Sequence, residues 1–585
     1  MEEEKSSIKK GTDQAAVVSY VVGNYEDWKD RRSSKEQAWT DCLNNYLTFV
    51  DESKYENWPW RSKVSDTFSQ EIGDVVAAAI KNALFPFNED FFKLEGLDDR
   101  SNESAPKMYE YMLQRLDNAR YVERNRPFLK QLAVYGNTAA ILPWVHKVRP
   151  RKMRDQKTKQ VRLVREVLYD NFTFTTMDMF DVVMNPRKMY DPQSSPVIYR
   201  TVTTLAELGL TKEDKVYENL DQLERKTDGT TPTDKSDGQK AARASIFGLD
   251  RSIEAGEDEI ELLIALGDHI INGELHMEHI AVVANREILL RFEEIPFWAG
   301  KPLVFTTYDD YWFAPYGRGP LEPVIGIHDL INTFVNQKAD VLNLIIMGSF
   351  AYVNDGVIDP DSLFQRPGGA IEVGDLNNLK AIHPNTNVAL AYQEIEQLRG
   401  RGERSTAVSD YEVGVFPGGR KTAYETSVIK AGSSNRFNDT IKHVGESSVE
   451  YSLRHFLTSL QQFKYGSGEV SDDVLLGNYK VNYFGADMSA LRQMEQQQLS
   501  QISDVVGRNP VFANAIEPVE LLKEWFRAIG IRNNKILKSA ERFEMEQARR
   551  EILDAAQAAG NQQQVGAAPP VEEQTPQALI GAQLQ

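Results

Sequence analysis

Apolar positions recur at helical spacing from residue 13 to 52, and they set the first elements of the chain. Ser33 with Glu36, just after Arg31-Arg32, fits a capping box that starts a fresh helix. Trp39, Leu43, Tyr46, Leu47 and Val50 then mark one face. Pro59 interrupts the chain, and the pattern predicts a long apolar helix from about Ser62 to Leu84, ended by Pro86. FFKLEG reads as a strand, and residues 104–136 return to helix.

From 137 to 203 the pattern turns to strands, in TAAILPWV, VREVLYDNFTFTTM and DVVMN, rich in β-branched and aromatic residues. Residues 226–245 are polar and read as an exposed, mobile insertion. A β-meander is predicted over about 258–307, with turns at Asn272-Gly273 and Ala284-Asn285. Gly317, Gly319 and Pro320 punctuate a switch into a long helix from about Glu322. Val324, Ile327, Ile331, Phe334, Val335, Val341, Leu344 and Ile345 supply its apolar positions. Residues 350–386 read as a small insert of short strands, and 387–404 as a second helix. A glycine-rich loop follows, then a helix from about Thr422 to Lys464 and helices near 487–506, 517–529 and 538–559, the last with Ser539 and Glu541 in its cap and first turn. The tail from Gly560 is rich in Gln, Ala and Pro and reads as disordered.

At 585 residues the chain exceeds one core, so two to four domains or layers are expected. Its net charge of −19 argues against a general grip on nucleic acid, whose partners are normally basic. Any DNA contact is expected at a few local basic points. Cys42 is the lone cysteine, which leaves no intrachain disulfide and no Cys-based zinc site. The start, MEEEKSSIKK, lacks an apolar core, and the strongest apolar stretch, 341–353, is shorter than the about 20 residues that span a bilayer. A soluble, intracellular chain is expected.

Three constellations carry candidate chemistry. GVFPGGRKT, residues 414–422, is close to a phosphate-binding loop, but Arg420 intrudes and Lys421-Thr422 arrive one residue late. The lead-in RGRGERSTAVSDYEV is polar and lacks the buried strand such a loop follows. The remaining readings are a plain helix connection, or a glycine-jointed loop presenting Phe416, Arg420 and Lys421 to something anionic. His269, His276 and His279, with Glu274 and Glu278, suggest a metal site. On a regular strand, however, His276 and His279 fall on opposite faces. Asp309-Asp310 could hold Mg²⁺, but adjacent acids on a strand diverge and read better as turn acids. The faces of Trp39 and Leu43 and of residues 64–84 read as core rather than as partner surfaces.

WPWRSKVSDTF with NALFPF, YGRGPLEPVIGIHDL, GGRKTAYE, NYFGADMSALRQ and FRAIGIRNNKIL occur in an order that resembles the portal (head–tail connector) proteins of T7-like short-tailed bacteriophages, over about residues 20–555. The resemblance implies an α+β, mostly helical portal fold of wing, stem, clip and crown that assembles as a cyclic ring. It divides the chain into a wing (1–315), a first stem helix (316–347), a clip (348–386), a second stem helix (387–404) and a tunnel loop (405–424). A long helix and wing return (425–484), a crown (485–559) and the tail (560–585) follow. It implies a twelve-fold ring of self-copies around sequence-independent double-stranded DNA, at the portal vertex of the virion and in the host cytoplasm during assembly. The implied partners are the terminase large subunit, the tail adaptor, the major capsid protein and scaffold, with no membrane. Phe416, Arg420 and Lys421 would face DNA, and Asp355, Asp359 and Arg366 would serve the clip interface. No enzyme activity, cofactor or metal is expected. The alternative is a nucleotide hydrolase or metal-dependent nuclease of the packaging machinery.

Overall fold

The computed structural model describes residues 13–50, 61–86, 91–154, 161–186, 195–209, 216–226, 259–347, 349–352, 379–382, 388–406 and 439–484. They mix helix and strand, in keeping with an α+β chain. The expected insertion beyond Lys226, most of the clip and the tunnel loop beyond Thr406 lie outside the described residues, as do the crown and tail.

The first fifty residues form two helices, α1 (Gln14–Arg31) and α2 (Ser33–Tyr46). The break falls where expected, but Ser33 does not cap. Arg32 holds the cap position with no side-chain cap bond, and Glu36 accepts from its guanidinium at 2.9 Å instead. That guanidinium also donates to the carbonyls of Met179 and Phe180 (3.0 and 2.8 Å) and to that of Val182. Arg32 thereby ties the helix break to the strand region, and Glu36 is spent on neutralising it. Trp39 lies in the core, edge-on to Phe180 and Tyr316 at 5.6 and 5.7 Å.

The next helix, α3, covers Phe68–Leu84 and not Ser62–Leu84. β1 (Phe92–Gly96) follows. The single helix expected over 104–136 is two, α4 (Asp99–Asn118) and α5 (Tyr121–Tyr135), separated at Arg120, which adopts a left-handed φ of 51°. Then come β2 (Asn137–Ile141), β3 (Trp144–Arg154), β4 (Val161–Phe172), β5 (Thr175–Met177), β6 (Val182–Met184) and β7 (Val197–Thr204). After α6 (Leu205–Gly209) and α7 (Leu220–Lys226) the chain adds β8 (Glu259–Ile271), β9 (Glu274–Ala284), β10 (Ile288–Glu294) and β11 (Leu303–Thr307).

Strands β10-β9-β8-β7-β6 form one antiparallel sheet. Its strands alternate, but both faces are buried. Leu262, Ile264 and Leu266 point into the main core, while Leu263 and Ala265 meet Val17, Val21, Tyr25 and Trp28 of α1. The β8–β9 turn uses Asn272 and Gly273 at φ 51° and 85°, the two positive values that the expected tight hairpin needs. β11 leaves the expected meander and pairs with β2 in a separate sheet, β11-β2-β5.

Two glycines fix the approach to the long helix. Gly136 and Gly319 cross backbone to backbone: a Cβ on Gly136 would stand 2.1 Å from the Gly319 nitrogen. Beside them the fully buried Asn137 side chain accepts from the Gly317 N–H (2.8 Å) and donates to its carbonyl (3.0 Å). The YGRG stretch is thus a backbone crossing that a side chain at either glycine would push apart.

A short 3₁₀ turn (Glu322–Val324) leads into α8 (Ile325–Met347). β12 (Ser349–Tyr352) and β13 (Leu379–Ile382) pair antiparallel, and α9 (Val388–Thr406) returns. The later helix is described from residue 439. It contains a wide π-helical turn at Gly445–Glu450, then α10 (Tyr451–Lys464). α11 (Asp472–Leu475) and β14 (Tyr479–Tyr483) close the described chain, with β14 pairing back onto β1.

Candidate functional site: a strapped helix pair

Helices α8 and α9 stand where the two stem helices are expected, although α9 runs two residues past the expected end. They are antiparallel: Gly402 near the end of α9 lies against Val324 just before α8, and Lys338 sits 4.1 Å above the Tyr392 ring. At the root the pair is packed into the core through Val324, Ile331, Ile395 and Leu398. Gly402 has no room for a side chain there, since a Cβ would come 2.5 Å from Phe68 of α3.

An extended strap, residues 62–66, explains why α3 starts late. The backbone N–H groups of Ser62, Val64 and Asp66 donate to Asp340 Oδ1 (2.6 Å), Asn336 Oδ1 (2.8 Å) and Asn332 Oδ1 (2.7 Å). Asn336 Nδ2 donates back to the Val64 carbonyl at 2.8 Å. The spacing is physical: four residues of helix rise about 6.0 Å, and two of extended chain about 6.6 Å. Side chains at i, i+4 and i+8 therefore meet alternate backbone groups. These N–H groups would be orphans at a helix start, and α8 satisfies them instead. Asp66 in turn accepts two bonds from Arg399 of α9, both 2.8 Å, and one from the Phe68 N–H at 2.9 Å. His328 of α8 is fully buried, with Nδ1 2.9 Å from Ser69 Oγ, and burial lowers its pKa. The strap, α3, α8 and α9 are thus joined by polar contacts at one end of the pair.

The far end differs. The apolar positions expected on α8 run further along the helix than the core does. Ile345 and Ile346 are exposed, Ile346 by 72%, and on α9 Leu390 and Tyr392 are exposed by 59% and 53%. Each is a large apolar group in water on a helix that already has one partner.

Of the sequence-derived site residues, Phe416, Arg420 and Lys421, and Asp355, Asp359 and Arg366, lie outside the described residues. So does the near phosphate-binding loop, residues 414–422. His276 and His279 were placed on opposite faces, yet their rings meet edge-on at 5.2 Å and both lie against Phe292. The register explains it: His269 pairs with His276 and Gly267 with His279, so β9 carries one extra residue there, with Glu278 at φ 47°. That bulge reverses the alternation. One nitrogen on each of two rings is taken up locally: His269 Nε2 is 3.1 Å from the His279 carbonyl, and His279 Nδ1 is 2.7 Å from that of Met277. Among the described residues no group of three or more His, Cys, Asp or Glu could hold a metal ion. Asp309 and Asp310 diverge. Asp309 pairs with Arg318 (2.9 Å) and Asp310 with His443 (3.3 Å).

One charged feature escaped the sequence reading. Residues 144–172, the β3–β4 hairpin, hold nine Lys or Arg against three Asp or Glu. The average charge of −19 hid a local run of opposite sign, which a sliding charge count would have found. Among the described residues no helix is long and apolar enough to cross a membrane. The chain matches no family model and no curated protein.

Proposed function

We propose that the chain is the portal subunit of a short-tailed bacteriophage, a ring-forming conduit through which double-stranded DNA enters and leaves the capsid. The observation that carries this is the α8–α9 pair, strapped at its root and bare at its far end. Covering a large aliphatic side chain is worth roughly 1.5–3 kcal/mol when complete. Ile345, Ile346 and Leu390 therefore favour a neighbouring copy, and cyclic symmetry lets one heterologous contact serve every copy in turn. A paired helix of 23 residues, roughly 35 Å long, is a reasonable wall for a channel.

The charge balance supports the same reading. A conduit for genomic DNA must ignore sequence and let phosphate slide, and a net −19 repels phosphate over most of the surface. Arg420 and Lys421, repeated around a ring, would form a local positive belt that holds the backbone reversibly. Asp355, Asp359 and Arg366 would then belong to the surface that meets the terminase motor and later the tail adaptor.

Electron microscopy of the purified chain tests this directly: rings with a central channel are expected. Globular monomers with nucleotide or nuclease turnover would overturn the proposal. Within assembled particles, Arg420→Glu with Lys421→Glu should leave the ring intact and impair DNA retention or passage. Unchanged packaging and retention would remove the loop from the mechanism.

A further inference from the structure

The β3–β4 hairpin stands apart from every other sheet: its two strands pair only with each other among the described residues. Its base is fixed. Trp144 stacks on Phe463 of α10 at 5.0 Å and donates from Nε1 to Asp170 at 2.9 Å. Asp170 also receives His146 (3.1 Å) and the buried Lys464. Asn171 Nδ2 donates to the Arg115 carbonyl of α4 (2.7 Å), and the Arg115 guanidinium donates to the Asp170 carbonyl (3.4 Å) across the same base. Beyond it, residues 146–152 are exposed without a break. An 11-residue strand is roughly 36 Å long, so much of β3 leaves the body. A lone two-stranded ribbon is marginal in water and has two open edges.

The arm's chemistry narrows what can cover it. The hairpin sums to +6 by its nine basic and three acidic residues, so the remainder of a −19 chain sums to −25. Arg149 and Arg151 flank Glu166 at 3.5 and 3.0 Å. Lys147, Lys152 and Arg165 are exposed. Between them sits an apolar seam: Val148 and Val167 face each other across the strands, exposed by 41% and 53%, and Leu168 forms the bulge beside them. Duplex phosphate would match the charges but offers nothing to the seam. An acidic protein surface with aliphatic groups matches both.

We infer that the β3–β4 arm docks on the acidic surface of a second copy of this chain, with Lys147, Lys152 and Arg165 meeting carboxylates and Val148, Val167 and Leu168 meeting aliphatic side chains. The chain carries a surface of that kind. Leu97 and Leu476 are exposed among Asp98, Asp99, Asp472 and Asp473, at the start of α4, where four carboxylates surround one cation, Arg100, 2.6 Å from Asp473. The arm's base is at the other end of the same helix, near Arg115, roughly 25 Å away. Donor and acceptor on opposite ends of one subunit suit a head-to-tail contact. The inference rests on the ring reading only in requiring more than one copy.

The test uses the full chain with Val167→Cys, labelled with a maleimide–benzophenone crosslinker. Cys42 is buried with its thiol pushed up to about 12, so the new thiol is the reactive one. Illumination should join chain to chain. Adding Lys147→Glu, Lys152→Glu and Arg165→Glu should lower that yield at least about tenfold at physiological salt, because like charges then face each other. Rings that form normally with adducts only within one chain would overturn the arm inference and leave the ring reading standing. So would a triple variant that assembles and crosslinks normally but loses binding to a DNA duplex, which would assign the arm to nucleic acid. A parent chain that stays monomeric at all concentrations would overturn both.

Discussion

The strap offers the sharpest test of how the helix pair is held. Asn336→Ala removes the acceptor of the Val64 N–H and the donor to the Val64 carbonyl, both at 2.8 Å. A net hydrogen bond is worth about 1 kcal/mol, and Val64 is half exposed, so water replaces part of the loss. The expected cost to local closure is about 1–2 kcal/mol, which is a five- to thirtyfold faster amide exchange at Val64. Hydrogen exchange with residue-level fragmentation reads this directly, and a local assay suits a chain too large for one two-state transition. Ser62 and Asp66 keep their own acceptors, Asp340 and Asn332, and should change far less. Asn336→Asp retains the acceptor and loses the donor, so its effect should fall between the parent and Asn336→Ala. Unchanged exchange at Val64 would refute the ladder. So would an increase spread evenly over residues 325–347, because α8 itself would then have loosened.

Three further outcomes follow from the same geometry. Arg399→Ala strips two 2.8 Å bonds from the largely buried Asp66 carboxylate and should cost about 2–3 kcal/mol, read as faster proteolysis near residues 61–67; Arg399→Lys should recover part of this, since one nitrogen, Nη2, makes both bonds, but it gives up the Nη1 approach to Glu71 at 3.8 Å. Burial lowers the pKa of His455 and of His269 to about 4, the latter despite its bond to the His279 carbonyl, so both are neutral when folded. Below about 6.5 the unfolded chain takes up protons that the folded chain refuses. Stability should therefore fall as pH drops from about 6.5 to about 4, by about 3 kcal/mol per group, and His455→Leu should weaken the pH dependence of the thermal midpoint over that window while the share of His269 remains. Ile346→Asp alters a side chain 72% exposed, so the isolated subunit should change by less than about 0.5 kcal/mol, whereas native mass spectrometry should show weakened assembly; intact assembly would exclude this face from the ring contact.

What could be read in advance follows the range of the forces involved. The helices α8 and α9 were legible because their apolar spacing is local, as was the β8–β9 turn, whose Asn272-Gly273 pair dictates its own backbone. The strap was not legible. Ser62 to Asp66 look helical by their neighbours, and what keeps them extended is a ladder from Asn332, Asn336 and Asp340, some 270 residues later. The histidines failed for a related reason: parity counts residues, and one inserted residue in β9 inverts it. The basic arm was legible but was averaged away by an acidic whole.

The apolar positions of α8 carry the most useful discrepancy. Periodicity alone treats Ile345 and Ile331 alike, as apolar positions of one helix, yet Ile331 is fully buried and Ile345 is 39% exposed. A helix keeps its apolar stripe only where something covers it, since each exposed aliphatic group forgoes hydrophobic stabilisation and invites aggregation. Among the described residues, the stripe on α8 continues past the last position that the subunit's own core covers. Under the proposed ring, Ile345 and Ile346 are the stretch of helix that a neighbouring copy would complete, and the assembly of Ile346→Asp decides whether it does.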